Sequence, residues 1–116
     1  MIRAKGAEVV IVYTTFPGDG DPGAFSRVLV SERLAACVTT QTGLTSVYRW
    51  QNDVEEATEY QLMIKTTVDR VGQLKQRVGE LHPYEVPEFL VLPIKDGTAK
   101  YVDWVAESTR AEARTG

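Results

Sequence analysis

The sequence has little cysteine, little histidine and no long apolar run. Its 116 residues include one cysteine and one histidine. A transmembrane helix needs about 20 consecutive apolar residues, so we expect no membrane partner. Cys37 cannot form an intrachain disulfide, and the first residues lack the apolar stretch of a secretory signal. Both observations fit a reducing compartment and predict a cytoplasmic location.

Positive charge is also scarce. The chain has 13 Lys and Arg against 16 Asp and Glu, for a net charge of -3, and no basic cluster. This argues against nucleic acid as a partner. A glycine-rich phosphate loop, a dinucleotide fingerprint and a paired metal-binding motif are likewise missing. The sequence therefore predicts neither an enzyme nor an obligatory cofactor.

What the chain does contain is typical of one globular domain. Hydrophobic residues make up 43% of the sequence and charged residues 25%, both ordinary fractions for such a domain. We predict a single ferredoxin-like domain over residues 1–116, with a core at about 8–107 and a polar tail at 108–116. A domain this short buries a low fraction of its surface, so association would help its stability.

Hydrophobic periodicity predicts four strands and three helices. The predicted strands are 8–15, 37–50 with a bend at Gly43, 56–67 and 88–94. The predicted helices are 22–36, opened by Asp21 and Pro22, then 71–81, ended by the His82-Pro83 step, and 98–105. The fold class is α+β: a ferredoxin-like βαββαβ order with a long central β-hairpin and an extra C-terminal helix.

The central hairpin predicts self-association. Strands of 12 or 13 residues extend for roughly 40 Å, whereas a domain of this size is only about 35 Å across. Tyr48 and Trp50 lie at the far end of this overhang. Exposed aromatic residues on open strand edges favour a symmetric oligomer with these two residues in its interface. One alternative is a coiled hairpin whose Trp50 folds back on its own domain. Another is that Tyr48 and Trp50 form a platform on which a ligand stacks.

The run His82-Pro83-Tyr84-Glu85-Val86-Pro87-Glu88 is the most distinctive motif. The His82 imidazole, the Glu85 carboxylate and the Cys37 thiolate are candidate ligands for copper or another divalent metal. They cannot complete a four-ligand zinc site without water, further carboxylates or other subunits. In the alternative interpretation, His82 caps a helix and Cys37 is a small buried hydrophobe.

A second candidate site combines opposite charges. Glu59 and Lys65 are six residues apart on one predicted strand, so they point to the same face. With Tyr84 and Glu88, they would line a polar pocket between subunits, suited to a small anion or metabolite. The alternative is an ion pair of little energetic consequence.

Several motifs in matching order resemble the CutA divalent-cation tolerance family. They are Glu32-Arg33-Leu34-Ala35-Ala36-Cys37-Val38, Thr45-Ser46-Val47-Tyr48-Arg49-Trp50, the 82–88 run and Tyr101-Val102-Asp103-Trp104. The resemblance implies a non-enzymatic homotrimer, similar in architecture to the PII signalling proteins, that acts in tolerance of divalent metals, with copper the usual candidate. Some members carry a cysteine near the end of the first strand or a second histidine. This chain has Tyr13-Thr14-Thr15 and Leu81 at the matching positions.

The favoured hypothesis is thus a homotrimeric copper-response protein that binds metal weakly through His82 and nearby carboxylates. One alternative is a PII-like signalling trimer that binds a small anion or metabolite between subunits. Another is a structural trimer that acts through protein partners, which the sequence does not name.

Overall fold

The computed structural model describes residues 8–111 and contains one antiparallel sheet flanked by helices. The end of the predicted tail, 112–116, lies outside the described residues. The strands are β1 (Val9–Pro17), β2 (Cys37–Trp50), β3 (Asp53–Thr67) and β4 (Leu90–Pro93), in the order β2-β3-β1-β4. The helices are α1 (Pro22–Ser31), α2 (Val71–Leu81), preceded by a 3₁₀ turn at Val68–Arg70, and α3 (Ala99–Ser108). The predicted ferredoxin-like α+β fold is confirmed.

Buried and half-buried residues alternate along β1, and this pattern indicates which face of the sheet carries the main core. Val10, Val12 and Phe16 are buried, together with residues of β3, α1 and α2. Ile11, Tyr13 and Thr15, which alternate with them, are only half-buried, and Val9 at the start of the same row packs against α3. Because successive side chains of a strand point to opposite faces, one face carries the main core. We call the other the open face.

The open face is partly apolar. Directly paired residues of an antiparallel sheet point to the same side, so the register defines rows across this face. One row contains Leu90, Tyr13 and Met63, and the next contains Leu92, Ile11, Lys65 and Cys37. Leu90 and Leu92 are exposed. The single chain therefore leaves an apolar surface beside the edge strand β4.

Helix α1 is shorter than predicted, ending at Ser31 instead of about Ala36. The Asp21 carboxylate accepts a bond from the Ala24 N–H and Pro22 starts the helix, as predicted. At the other end, Arg33 adopts φ 62°, its N–H bonds the Val30 carbonyl, and the Leu34 N–H bonds the Leu29 carbonyl. These two bonds are a Schellman motif, which releases the chain into β2.

The β2–β3 hairpin projects beyond the rest of the sheet. β1 pairs with β3 only from Thr67 down to Glu59, so the hairpin beyond Glu59 has no third strand. The predicted irregularity is present, with a register shift between Gln41 and Leu44 and φ 72° at Gly43. The molecule measures 50 × 35 × 23 Å, with a radius of gyration of 15.5 Å. A compact chain of this length has about 13 Å, so the predicted overhang is confirmed.

The C-terminal elements differ from their predicted bounds. β4 covers only Leu90–Pro93, and α3 extends to Ser108. Thr109, predicted to lie in the tail, is buried, and its hydroxyl donates to the Val105 carbonyl. Tyr101 and Trp104 do not cover the core; they are exposed and stack on each other, with ring centroids 5.5 Å apart. Within residues 8–111, no helix is long and apolar enough to cross a lipid bilayer.

Candidate functional site

His82 lies at the end of α2, where its extended backbone (φ -73°, ψ 137°) stops the helix. Its side chain is 7% exposed and packs against the rings of Phe16, Phe25 and Tyr84. Nδ1 lies 3.1 Å from the Tyr84 backbone N, and Nε2 lies 2.6 Å from the Thr15 carbonyl oxygen. The histidine thus joins the end of β1 to the segment that follows α2.

These two contacts fix the form of the imidazole. The Tyr84 N–H can only donate, so Nδ1 must accept, and the Thr15 carbonyl can only accept, so Nε2 must carry the proton. Neither nitrogen keeps a free lone pair for a metal. The geometry therefore disfavours the predicted ligand role of His82. It is closer to the capping alternative, although the carbonyl that it bonds belongs to β1 and not to the helix.

Tyr84 connects the segment to β3. Its hydroxyl donates to Glu59 Oε2 at 2.6 Å. Burial raises the pKa of the Tyr84 phenol, and the hydrogen bond to Glu59 and the charge of that carboxylate raise this pKa further. The Glu59 side chain is 7% exposed. A carboxylate so deeply buried normally has a cationic partner, yet the described residues supply only the neutral phenol.

A cavity of about 400 Å³ opens beside this pair. Ligand sites for small molecules have volumes of roughly 300–1,000 Å³. Three of its walls are the aromatic side chains of Tyr48, Trp50 and Tyr84. The predicted pocket residues Glu59, Tyr84 and Glu88 are thus brought together, and Glu85, a predicted metal ligand, joins them.

Carboxylates are the charged groups of this cavity. Glu59, Glu85 and Glu88 line it, and no Lys, Arg or His of the described chain does. The Gln61 amide donates to Glu88 Oε2 at 3.1 Å and to the Thr14 carbonyl at 3.0 Å, which holds Glu88 against the sheet. An acidic cavity attracts cations. The predicted small-anion ligand therefore has no charge complement here.

Lys65 lies elsewhere. Six residues of strand separate it from Glu59, about 20 Å at roughly 3.3 Å per residue. Its ammonium is 3.0 Å from Thr39 Oγ1 and 4.0 Å from Cys37 Sγ. The sequence correctly placed Glu59 and Lys65 on one face of β3, but the structure does not bring them to one pocket.

The predicted metal ligands are also separate. Cys37 lies in the row of Ile11, whereas His82 contacts Thr15. Four residues of β1 span about 13 Å. Across residues 8–111, no three side chains drawn from His, Cys, Asp and Glu are grouped closely enough to hold a metal ion. A preformed site from His82, Cys37 and Glu85 is therefore not present in the described chain.

Sequence reasoning assigned Tyr48 and Trp50 to a subunit interface and did not consider Thr15 for any site, although all three line the cavity. A signal for this was available. Tyr48 pairs with Glu55 and Thr15 with Gln61, and both partners are an even number of residues from Glu59. Strand parity therefore places these side chains on the face of Glu59.

A family comparison matches nearly the whole described chain. The model of the CutA1 divalent ion tolerance protein family matches residues 10–108. The divalent-cation tolerance protein CutA of Thermus thermophilus is 48% identical over 102 residues, which are 88% of this chain and 97% of that protein. Its solved structure has a TM-score of 0.84 and covers 88% of this chain and 99% of its own.

Other solved structures agree in fold. The CutA1 structure of Oryza sativa has a TM-score of 0.88 at 37% identity and covers 94% of this chain and 100% of its own. The structure of the PII-like protein CutA of Nostoc sp. has a TM-score of 0.81 at 34% identity, with 89% and 99% covered. A longer relative, the CutA homolog of Xenopus laevis, is 43% identical over 82% of this chain, which spans only 63% of it.

Proposed function

The chain belongs to the CutA1 divalent ion tolerance family, and on that premise we propose that it acts in tolerance of divalent metal ions as a homotrimer of PII-like subunits. The CutA protein of Nostoc sp. is described as PII-like, which supports the architectural part. In this proposal the protein is not an enzyme, acts in the cytoplasm and binds its metal weakly.

The proposed cation site is the acidic cavity. The observation that carries this proposal is the 7% exposed Glu59, which lines the cavity with Glu85 and Glu88 and has no cationic partner among the described residues. A divalent ion would supply the missing charge. Weak binding follows because the carboxylates are not already grouped as ligands, so side chains must move or water must complete the shell.

Copper remains the first metal to test. For a given set of nitrogen and oxygen ligands, affinity among divalent first-row ions is highest for Cu²⁺. Selectivity is not built into a carboxylate site of this kind. We therefore expect Zn²⁺ and Ni²⁺ to bind the same residues less tightly than Cu²⁺.

In this proposal His82 positions the site and does not bind the metal. Its two hydrogen bonds hold Tyr84 at the end of β1, and Tyr84 in turn holds Glu59. A metal would have to break one of these buried bonds to reach an imidazole nitrogen. The carboxylates are available without that cost.

The proposed trimer is supported by strand edges and apolar side chains that a single chain leaves uncovered. The overhanging hairpin has no third strand, β4 is an edge strand, and the open face between them is partly apolar. Unpaired edges with exposed apolar side chains need a cover. A closed symmetric oligomer covers the same surface on every copy.

Calorimetric titration of Cu²⁺ into tag-free protein tests the proposed site. We expect Glu59→Gln to weaken binding about tenfold, or about 1.4 kcal/mol, because it removes a buried charge and keeps the shape. Glu56→Gln is the matched control, since it removes an exposed charge from the other face of β3. Equal losses in both variants, or none in Glu59→Gln, would contradict the site.

A third variant separates the two metal hypotheses. We expect His82→Ala to lose about 2–3 kcal/mol of stability, because it leaves a cavity and removes the partner of the Tyr84 N–H. Its affinity for Cu²⁺ should fall much less than that of Glu59→Gln. Loss of the metal isotherm in folded His82→Ala, with Glu59→Gln unaffected, would restore the histidine as the ligand.

A further inference from the structure

The acidic cavity has a second chemical feature, which a bare metal ion does not need. Its walls include the indole of Trp50 and the phenol rings of Tyr48 and Tyr84. In the single chain, Trp50 and Tyr48 are 40% and 44% exposed, so parts of their rings face the cavity and not the protein interior. Aromatic faces carry partial negative charge and attract cations within about 6 Å of the ring centre.

The carboxylates of the cavity attract the same sign of charge as these rings. Glu59 is more than nine-tenths buried, and its only described hydrogen bond comes from the Tyr84 hydroxyl. Neither a basic side chain nor any other cation of the described chain lines the cavity. Rings and carboxylates thus favour the same sign of charge, and the cavity volume of about 400 Å³ is far larger than a metal ion requires.

We propose that this cavity binds a small organic ammonium ion. The cationic head lies among Tyr48, Trp50 and Tyr84, and Glu59 balances its charge. The apolar part of the ligand contacts Val86 and Pro87 at the rim. Aromatic cages are how proteins recognise alkylated ammonium groups, and the Glu59 carboxylate adds a balancing charge.

This inference shares the cavity with the proposed metal site but does not require metal binding. Both cations would use Glu59, so each should displace the other. An ammonium ligand depends in addition on the aromatic walls, and a metal ion does not. The two proposals can therefore fail separately.

Fluorescence titration in metal-free, chelator-treated buffer provides the test. Trp104→Phe serves as the parent, so that the emission reports Trp50 alone. Tetramethylammonium and choline, as chloride salts at constant ionic strength, are the probes, and tert-butanol is the neutral probe of similar size. We expect saturable binding of both cations and at least tenfold weaker binding of tert-butanol.

Variants in the same background locate the site. Glu59→Gln should weaken tetramethylammonium binding at least tenfold, and Glu56→Gln should leave it unchanged. Trp50→Leu removes the fluorescent reporter, so its binding is compared with that of the parent by calorimetry in the same buffer, and it should be weakened similarly. Binding of the cations and tert-butanol with equal affinity would overturn the proposal, as would unchanged affinity in folded Glu59→Gln. The proposal would also be overturned if neither cation showed saturable binding. In that last case, a normal Cu²⁺ isotherm would show that the metal proposal still stands.

Discussion

The raised pKa of the Tyr84 phenol makes the stability of the fold decrease at alkaline pH. Its pKa is raised by burial and by the Glu59 carboxylate, whereas an unfolded tyrosine titrates near about pH 10. Above that pH the unfolded chain loses this proton first, so the folded state binds more protons and stability falls as pH rises. The contribution is fully present below about pH 10.

We therefore expect Tyr84→Phe to remove part of the alkaline loss of stability. Urea unfolding between about pH 8 and pH 11 should show a steeper decline in the parent than in Tyr84→Phe. Tyr101→Phe is the control, because this exposed tyrosine stacks only on Trp104. Parallel pH profiles for parent and Tyr84→Phe would show that folding does not raise the pKa of the Tyr84 phenol.

The bend in the β2–β3 hairpin depends on one residue, Gly43. Gly43 has φ 72°, and nothing lies within 4 Å of the position that its Cβ would occupy. Any penalty for a larger residue is therefore conformational and not steric. We expect Gly43→Ala to cost about 1 kcal/mol, because an L-residue is strained in the left-handed region.

A matched control lies in α2. Gly79 is exposed within the helix and also has nothing within 4 Å of its Cβ position. Gly79→Ala should stabilise the protein by about 0.5–1 kcal/mol, through better helix propensity. Denaturant unfolding should therefore move in opposite directions for the two substitutions. A stabilised Gly43→Ala would contradict the left-handed bend.

Element boundaries show what the sequence could and could not predict. Asp21 and Pro22 gave the start of α1, and the His82-Pro83 step gave the end of α2, because these residues restrict the backbone locally. The end of α1 was missed because a left-handed cap usually carries glycine, and here Arg33 occupies it. Its guanidinium donates to the carbonyls of Glu107 and Ser108 at the end of α3, a tertiary contact that no local pattern encodes.

The candidate site was predictable to a similar degree. The grouping of Glu59 with Tyr84 and Glu88 was predicted, and all three line the cavity. The tautomer of the His82 imidazole could not be predicted, because it depends on the Thr15 carbonyl, which is 67 residues away in sequence. The acidic lining of the cavity was also missed, because Lys65 shares the face of Glu59 but not its end of the strand.

At the scale of the whole molecule, α1 and α2 cover one side of the sheet, whereas α3 covers only the Val9 end of the other side. The open face carries Tyr13, Leu90 and Leu92 beside an unpaired strand edge. The cavity opens on this same face, since Thr15 and Glu59 line it. Assembly through the open face would thus bring a second copy close to the cavity, which couples oligomer formation to ligand access.

A charge placed on the open face tests this arrangement. Leu92 is 38% exposed on β4, and Val30 is 41% exposed on the outer surface of α1. We expect Leu92→Lys to shift the mass in solution from three times the 12.9 kDa chain toward the monomer, because burying an unpaired ammonium in an interface costs several kcal/mol. Val30→Lys introduces the same charge at similar exposure and should leave the mass unchanged. Light scattering at several protein concentrations measures both. A parent that is itself monomeric would refute assembly outright, and equal masses for the parent and Leu92→Lys would move the interface away from β4.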